Sequence, residues 1–369
     1  MNFSIRRAVL AEVLSTAASV VPTKTTMPIL QNVLLRADKG HVTIAATDLQ
    51  LTTWASVHAE VSKVGALTVD AKRLHDIIDG MSCEDVTLAA VESNSYCEVT
   101  GGRAKYKAVA LRADDFPKLP DAPKGWQQVG PLPFKLLIER TRYAIDQLSQ
   151  IEASRGALLE SSGAGTRMVC LSRAGLAMAE AIIGLSDVPA GTVIPARALK
   201  EFVNLSSEAP ELSVGFTDRY VYLQRGAIVL GAMTTGLPFP PWEKVVPKKG
   251  SHNSSVIVDV PEFRAALSNV ATFTEEGIGK GCRFDVDGSE LHLRAASMRF
   301  GEGHEILTCE ATGKPIGLSL VPKQVADTAA AAGTSRVELR GYPTPNSPVS
   351  IHPVGSEDFL GLVMPIVEA

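Results

Sequence analysis

Apolar positions along this chain fall into two periods, and the two alternate several times from end to end. Leu74, Ile77, Ile78 and Met81 stand at i, i+3, i+4 and i+7, the stripe of a helix packed on one side. Phe134, Leu137, Ile138, Thr141 and Ile145 form a second stripe, and Ile5, Val9, Leu10, Val13 and Leu14 share a face near the N-terminus. A further helix is predicted where Asp259 can cap and Pro261 can open a run carrying Phe263, Ala266, Leu267 and Val270. Between the helices the period drops to two. Residues 42–45, 168–171 and 291–294 predict strands that follow glycine-containing turns, and 86–88, 220–223 and 349–351 predict more.

The alternation is a repeat with a period of about 125 residues. Val69-Asp70-Ala71-Lys72-Arg73-Leu74 is echoed by Ile194-Pro195-Ala196-Arg197-Ala198-Leu199 and by Leu320-Val321-Pro322-Lys323-Gln324-Val325. Each time an extended stretch turns into a helix with a basic residue near its start. The prediction is an α+β fold of three units, each with two helices packed on β-sheet. Pro/Lys-rich stretches at 119–124 and 246–250 separate them, giving units at 1–122, 126–247 and 251–369.

Composition sharpens this picture mostly by exclusion. Of 369 residues, 45% are hydrophobic and 21% charged, enough for several packed cores and too apolar for disorder. Lys+Arg number 36 against 40 Asp+Glu, so no general basic character advertises nucleic acid. The last unit is the acidic one, with 9 Lys+Arg against 15 Asp+Glu from residue 250 onward. No apolar run approaches the roughly 18 residues of a membrane span, and the first residues lack a signal-peptide core. Cys83, Cys97, Cys170, Cys282 and Cys309 form no CxxC pair and are odd in number, as reduced thiols are. A cytoplasmic protein with no membrane contact is expected.

The same residues nominate no catalyst. Seven histidines make no HxxxH or HxH arrangement, so neither metal nor cofactor is expected. The run 277–281 resembles a phosphate loop only superficially, because Thr274 and Gly281 occupy the places that require Gly and Ser/Thr. Asp114-Asp115 and Glu275-Glu276 are adjacent carboxylates of the kind found on solvated loops.

Several local sequences, taken in order, resemble the bacterial DNA sliding clamps, the β subunit of DNA polymerase III. They are Lys24-Thr25-Thr26-Met27-Pro28-Ile29-Leu30-Gln31-Asn32, then Ala46-Thr47-Asp48-Leu49, then Asp115-Phe116-Pro117-Lys118-Leu119. Phe239-Pro240-Pro241-Trp242-Glu243-Lys244-Val245-Val246-Pro247 and Val363-Met364-Pro365-Ile366 complete the set. The resemblance implies a head-to-tail homodimer closed around duplex DNA, with helices lining the pore. It also implies a processivity factor without catalysis, holding polymerase and clamp-loader subunits by short apolar peptide motifs.

On that resemblance the pore residues are Lys24, Lys72, Arg73, Arg197, Lys200 and Lys323, within a wider set of helix cations including Arg6, Arg7, Arg140, Arg142 and Arg264. The peptide groove is expected from Leu171, Arg173, Leu176, Pro240, Lys244, Val245, Val363, Met364, Pro365 and Ile366. Ring closure is expected to pair Tyr106 and Ala108 with Thr272 and Phe273, Lys105 and Lys107 facing Glu275 and Glu276. One departure stands out. Where the family usually carries Thr-Asp-Gly-His-Arg-Leu, this chain reads Leu171-Ser172-Arg173-Ala174-Gly175-Leu176. A clamp-like paralogue, serving as a specialised or decoy scaffold with altered or no motif binding, is the alternative this departure raises.

Overall fold

A computed structural model describes every residue except Ala164, Glu208, 275–280, Pro345 and 367–369. The run 277–281 and the pair Glu275-Glu276 therefore lie wholly or mostly outside the described residues. The element order repeats as the sequence predicts. The first round is β1 (Asn2–Arg6), α1 (Arg7–Val20), β2 (Asn32–Asp38), β3 (His41–Thr47), β4 (Leu51–His58) and β5 (Glu60–Lys63). It continues through β6 (Gly65–Asp70), α2 (Ala71–Asp79), β7 (Asp85–Val91), β8 (Tyr96–Gly101) and β9 (Ala104–Leu111). The second round is β10 (Gln127–Val129), α3 (Pro131–Thr141), β11 (Gly156–Ser162), β12 (Gly165–Ser172) and β13 (Gly175–Ala181). Then come β14 (Thr192–Pro195), α4 (Ala196–Ser206), β15 (Leu212–Phe216), β16 (Tyr220–Arg225) and β17 (Ile228–Met233). The third is β18 (Ser254–Asp259), α5 (Val260–Ala271), β19 (Cys282–Asp287), β20 (Glu290–Ser297), β21 (Gly301–Thr308) and β22 (Glu310–Gly313). It closes with β23 (Gly317–Leu320), α6 (Pro322–Ala331), β24 (Arg336–Gly341), β25 (Val349–Pro353) and β26 (Phe359–Val363).

Local chemistry explains where the helices start. Asp70 accepts a hydrogen bond from the Arg73 amide at 2.8 Å and opens α2. Asp259 accepts from the Glu262 amide at 3.3 Å and opens α5, with Pro261 in its first turn. The buried stripes agree in spacing: Leu10, Val13, Leu14 and Ala17 on α1, Phe134, Leu137, Ile138 and Thr141 on α3, and Phe263, Ala266, Leu267 and Val270 on α5. Met81 and Ile145 lie past the ends of α2 and α3, and Ile5 leaves the predicted helical face altogether. It lies on β1, opposite Val86 of β7, because its apolar side chain continues the buried face of that sheet.

The chain divides into two compact units. One comprises Met1–Leu132 with Arg197–Thr234, the other Pro133–Ala196 with Thr235–Ala369. The first unit holds a sheet of order β10-β15-β16-β17-β4-β3-β2-β6-β9-β8-β7-β1-β5. The second holds a sheet of order β14-β11-β12-β13-β26-β25-β24-β18-β22 and a four-stranded one, β21-β20-β19-β23. Inside each unit an antiparallel pair therefore joins consecutive rounds of the repeat: β4 with β17, and β13 with β26.

Arg140 reinforces the second of these joints. From α3 its guanidinium donates to Asp358 at 2.7 Å and to the carbonyls of Ala331 and Ala332 at 3.2 Å, filling acceptors left at the C-terminus of α6. It also covers the Phe359 ring. The Arg140 hydrogen bond is the main cause holding the Asp358 carboxyl below the usual aspartate range, with burial working against it. A lowered carboxyl stabilises the fold above its unfolded value and loses that contribution as pH falls through the native one. Arg140→Ala is expected to cost about 2 kcal/mol at neutral pH, since Asp358 remains partly solvated. The gap between variant and unmutated protein should shrink below about pH 4; urea unfolding at both pH values measures it.

Candidate functional site

Each joint is made of hydrogen-bonded neighbours that line up across the strands. In the first round, Thr68, Leu34, Ala45 and Trp54 form one rung, which ends against Val229 of β17. In the second, Val193, Leu158, Val169 and Met178 form the matching rung, ending against Leu360 of β26. In the third, Ser319, Arg283, Arg294 and His304 form it, and among the described residues no strand pairs with β21 beyond His304. The incoming strands match in the same way. Phe3, Leu88, Val99 and Tyr106 stand in line, as do Gln127, Val214, Leu223 and Leu230, and Val256, Leu339, Ile351 and Gly361. Tyr106 on β9 thus occupies the place that Leu230 and Gly361 hold in the two formed joints.

β9 is also open. It pairs with β8 along its length but with β6 only at Ala110 and Leu111. Tyr106 is 43% exposed and Val109 68%. Thr272 and Phe273, expected on an edge strand, instead follow the last turn of α5. The edge belongs to β21, and Phe273 lies against its inner face: a Cβ on Gly303 would come within 2.4 Å of the Phe273 ring. Lys105 does not await Glu275; it pairs with Glu98 at 2.9 Å, while Lys107 pairs with Glu92 and covers the Tyr96 ring.

The second site is an apolar sheet face. Strand alternation places Leu171, Leu176, Met178, Leu360 and Leu362 together with Trp242, and Phe239 and Val246 pack against the same cluster. The residue after Val363 continues that alternation, so Met364 extends this face from the end of β26; its amide donates to the Ala174 carbonyl at 3.0 Å. Met364 is 39% exposed and Val245 45%. Lys244 is also exposed, and Pro240 is half-buried. Arg173 is exposed at the tip of the β12–β13 hairpin. Three expected members stand apart. Val363 has the opposite parity and is 1% exposed, a core strand residue. Pro365 and Ile366 line a different hollow beside Asn253, Arg283 and Ile316.

Trp242, which the sequence marked only as part of a motif, anchors this face. Arg167 stacks over its indole at 5.2 Å, held between Glu160 and Glu180. Burial raises the Glu160 carboxyl, with Arg167 partly offsetting it. Arg173, Leu176, Leu362 and Val363 also border, with Tyr143, Gln324 and Asp327, a hollow of about 350 Å³.

The expected DNA-facing cations divide by whether they are already occupied. Arg197 pairs with Asp48 and donates to the carbonyl of Val20, closing the end of α1. Asp48 is itself fixed by the amides of Gln50 and Leu51. Lys323 pairs with Asp327 one turn along α6 at 2.5 Å, and Arg140 is committed as described. Lys24, Lys72, Arg73 and Lys200 are exposed and form no ion pair among the described residues. Among the described residues no cluster of His, Cys, Asp or Glu is arranged to hold a metal, and no helix is long and apolar enough to cross a membrane. Burial pushes the thiols of Cys97, Cys170 and Cys282 up to about 12, which keeps them unreactive.

Comparison with known proteins adds an independent line. Residues 1–120 match the family model of the DNA polymerase III beta subunit N-terminal domain, and residues 243–367 that of its C-terminal domain. The beta sliding clamp of Pseudomonas aeruginosa is 26% identical over 371 residues, spanning 99% of this chain and 100% of that protein. The crystal structure of the DNA polymerase III subunit beta from the same organism superposes with a TM-score of 0.91 at 25% identity, covering 100% of both chains. A Pseudomonas aeruginosa clamp bound to griselimycin superposes at 0.89 with 24% identity, covering 100% of this chain and 99% of that one.

Proposed function

Because this chain belongs to the DNA polymerase III β-subunit family, the bacterial sliding clamps, we propose that two copies close head to tail into a ring of six domains. The domains in each chain are 1–122, 126–247 and 251–369. The chain is a sliding clamp, which encircles duplex DNA and tethers polymerase to its template. It acts in the cytoplasm as a processivity factor, without a catalytic step of its own.

One observation carries the ring. The same strand joint is built twice within the chain, and the strands left over are β9 and β21, each eight residues long. The other edge strands, β5, β10, β14, β22 and β23, have three or four residues. Long open edges are unusual in a monomer, because they template pairing with another chain. Continuing the register of the formed joints sets Tyr106 opposite Gly303, Lys105 opposite His304 and Lys107 opposite Glu302. On the matching buried stripes, Asn269 of α5 holds the place of Arg140 of α3, and its amide is spent on Glu305 at 2.9 Å. The subunit joint thus lacks the arginine that secures the second internal joint, which suits a ring that must open for loading.

A net charge of −4 is compatible with this task. Enclosure holds the DNA, and a few phosphate contacts from Lys24, Lys72, Arg73 and Lys200 ease threading without arresting sliding. Changing Lys24, Lys72 and Lys200 together to Glu should leave the dimer intact while loading onto nicked circular DNA falls about tenfold and becomes more sensitive to salt. Unchanged loading would remove these side chains from the DNA path.

Polymerase and clamp-loader subunits dock through short apolar motifs on the face formed by Leu171, Leu176, Pro240, Val245 and Met364. Arg173, standing where the family's loop usually differs, favours an acidic flank on the peptide. The altered loop is the one feature that raises a scaffold without motif binding, and the apolar face that persists beside it speaks for docking.

A further inference from the structure

We propose that the pair His292–His304 makes the subunit joint sensitive to pH, mild acid opening the ring; this rests on the pairing of β9 with β21 proposed above. The two imidazoles stack with ring centres 5.3 Å apart, and Nδ1 of His292 lies 3.1 Å from Nε2 of His304. At that distance one ring donates and the other accepts, so the contact requires at least one neutral imidazole. His304 lies on the open edge strand, and Arg294 stands directly opposite it on β20. The register of the two internal joints places the partner subunit's Lys105 directly opposite on the other side. Residues so placed have side chains about 5 Å apart, and like charges there destabilise the pairing.

The surroundings fix the sign. On β20, Glu290 lies 3.4 Å from Nε2 of His292. On β19, Asp285 pairs with Arg283 at 3.0 Å and with Arg294 at 3.4 Å, so this carboxylate is already shared between two guanidiniums. Glu302 on β21 would face the partner subunit's Lys107, and the partner subunit's Glu98 pairs within its own chain with Lys105. In the free chain a proton on His304 meets Arg294, which shares Asp285 with Arg283, and Glu290 beside His292 can accommodate the charge of the pair. In the ring the same proton sits between Arg294 and the partner subunit's Lys105. Association therefore disfavours the protonated pair, and by linkage protonation disfavours association. Histidine is the side chain whose charge changes in the mildly acidic range, so the joint tightens above neutrality and loosens below it. At the matching rung positions the internal joints carry Trp54 and Met178, which do not titrate.

The test measures dimer dissociation by sedimentation equilibrium at about pH 8 and about pH 5.8, with circular dichroism confirming the fold at both. The unmutated protein should dissociate about tenfold more readily in acid. His304→Gln should hold its affinity within about twofold across the same range, and Lys105→Gln should reduce the acid effect to about threefold. A flat profile for the unmutated protein would overturn the proposal, as would a tenfold effect surviving in His304→Gln. Failure of the underlying ring reading looks different: the unmutated chain would then be monomeric at about pH 8, or its dimer indifferent to changes at Tyr106 and Phe273.

Discussion

Replacing Tyr106 with Lys and Phe273 with Asp together is expected to yield folded monomers, with dimer affinity lowered at least about a thousandfold. In the formed joints the place of Tyr106 is held by Leu230 opposite Thr53 and by Gly361 opposite Ala177, so one side of the joint stays small. Opposite Tyr106 the register places Gly303, whose missing side chain leaves room for the Phe273 ring against the strand. Tyr106 would close over that ring. Truncating a central interfacial aromatic costs about 2–4 kcal/mol, and here each replacement also brings a charge into the contact. The two changes act on one contact, so their effects will not simply add. Both side chains are partly exposed in the single chain, which is why the fold should survive. Sedimentation velocity reads the outcome, and an undiminished dimer would place the subunit joint elsewhere.

The second large effect concerns partners. Met364→Lys should weaken binding of a polymerase-derived motif peptide by about a hundredfold or more while leaving the dimer intact. Met364 continues the apolar row of Leu360 and Leu362 beyond the end of β26 and remains accessible. An anchoring side chain buried there contributes about 1.5–3 kcal/mol, and a lysine both removes that gain and desolvates a charge. Ordering a short peptide offsets part of the total, so the unmutated affinity should lie near micromolar, weak enough for polymerases to exchange. Fluorescence anisotropy with a labelled peptide measures this, and normal binding by the variant would assign docking to another surface.

Much of this was legible in the residues, and the remainder was hidden for identifiable reasons. The helix start at Asp259-Pro261 could be read because capping is local chemistry, and the cap at Asp70 could have been found in the same way. The threefold period followed from spacing alone. Ile5 misled because a strand running straight into a helix carries an apolar side chain at the right helical offset. The β21 edge escaped notice because Gly301-Glu302-Gly303-His304-Glu305 lacks the alternation of a half-buried strand. A strand awaiting a partner has no apolar pattern to show within its own chain. Arg197 read as a free cation because its partner Asp48 is distant in sequence, whereas the Lys323–Asp327 pair at i, i+4 was readable and was passed over. Val363 was separable from Met364 by strand parity alone, yet the motif reading grouped them.

Enclosure of DNA is tested by comparing one DNA in two topologies. The clamp is loaded onto a nicked circular plasmid, half of the sample is linearised, and both halves are passed over a sizing column in salt high enough to screen phosphate contacts. Protein should elute with the circle and be lost from the linear form, having slid off its ends. Equal retention on both, or loss from both, would contradict a ring that holds DNA by topology.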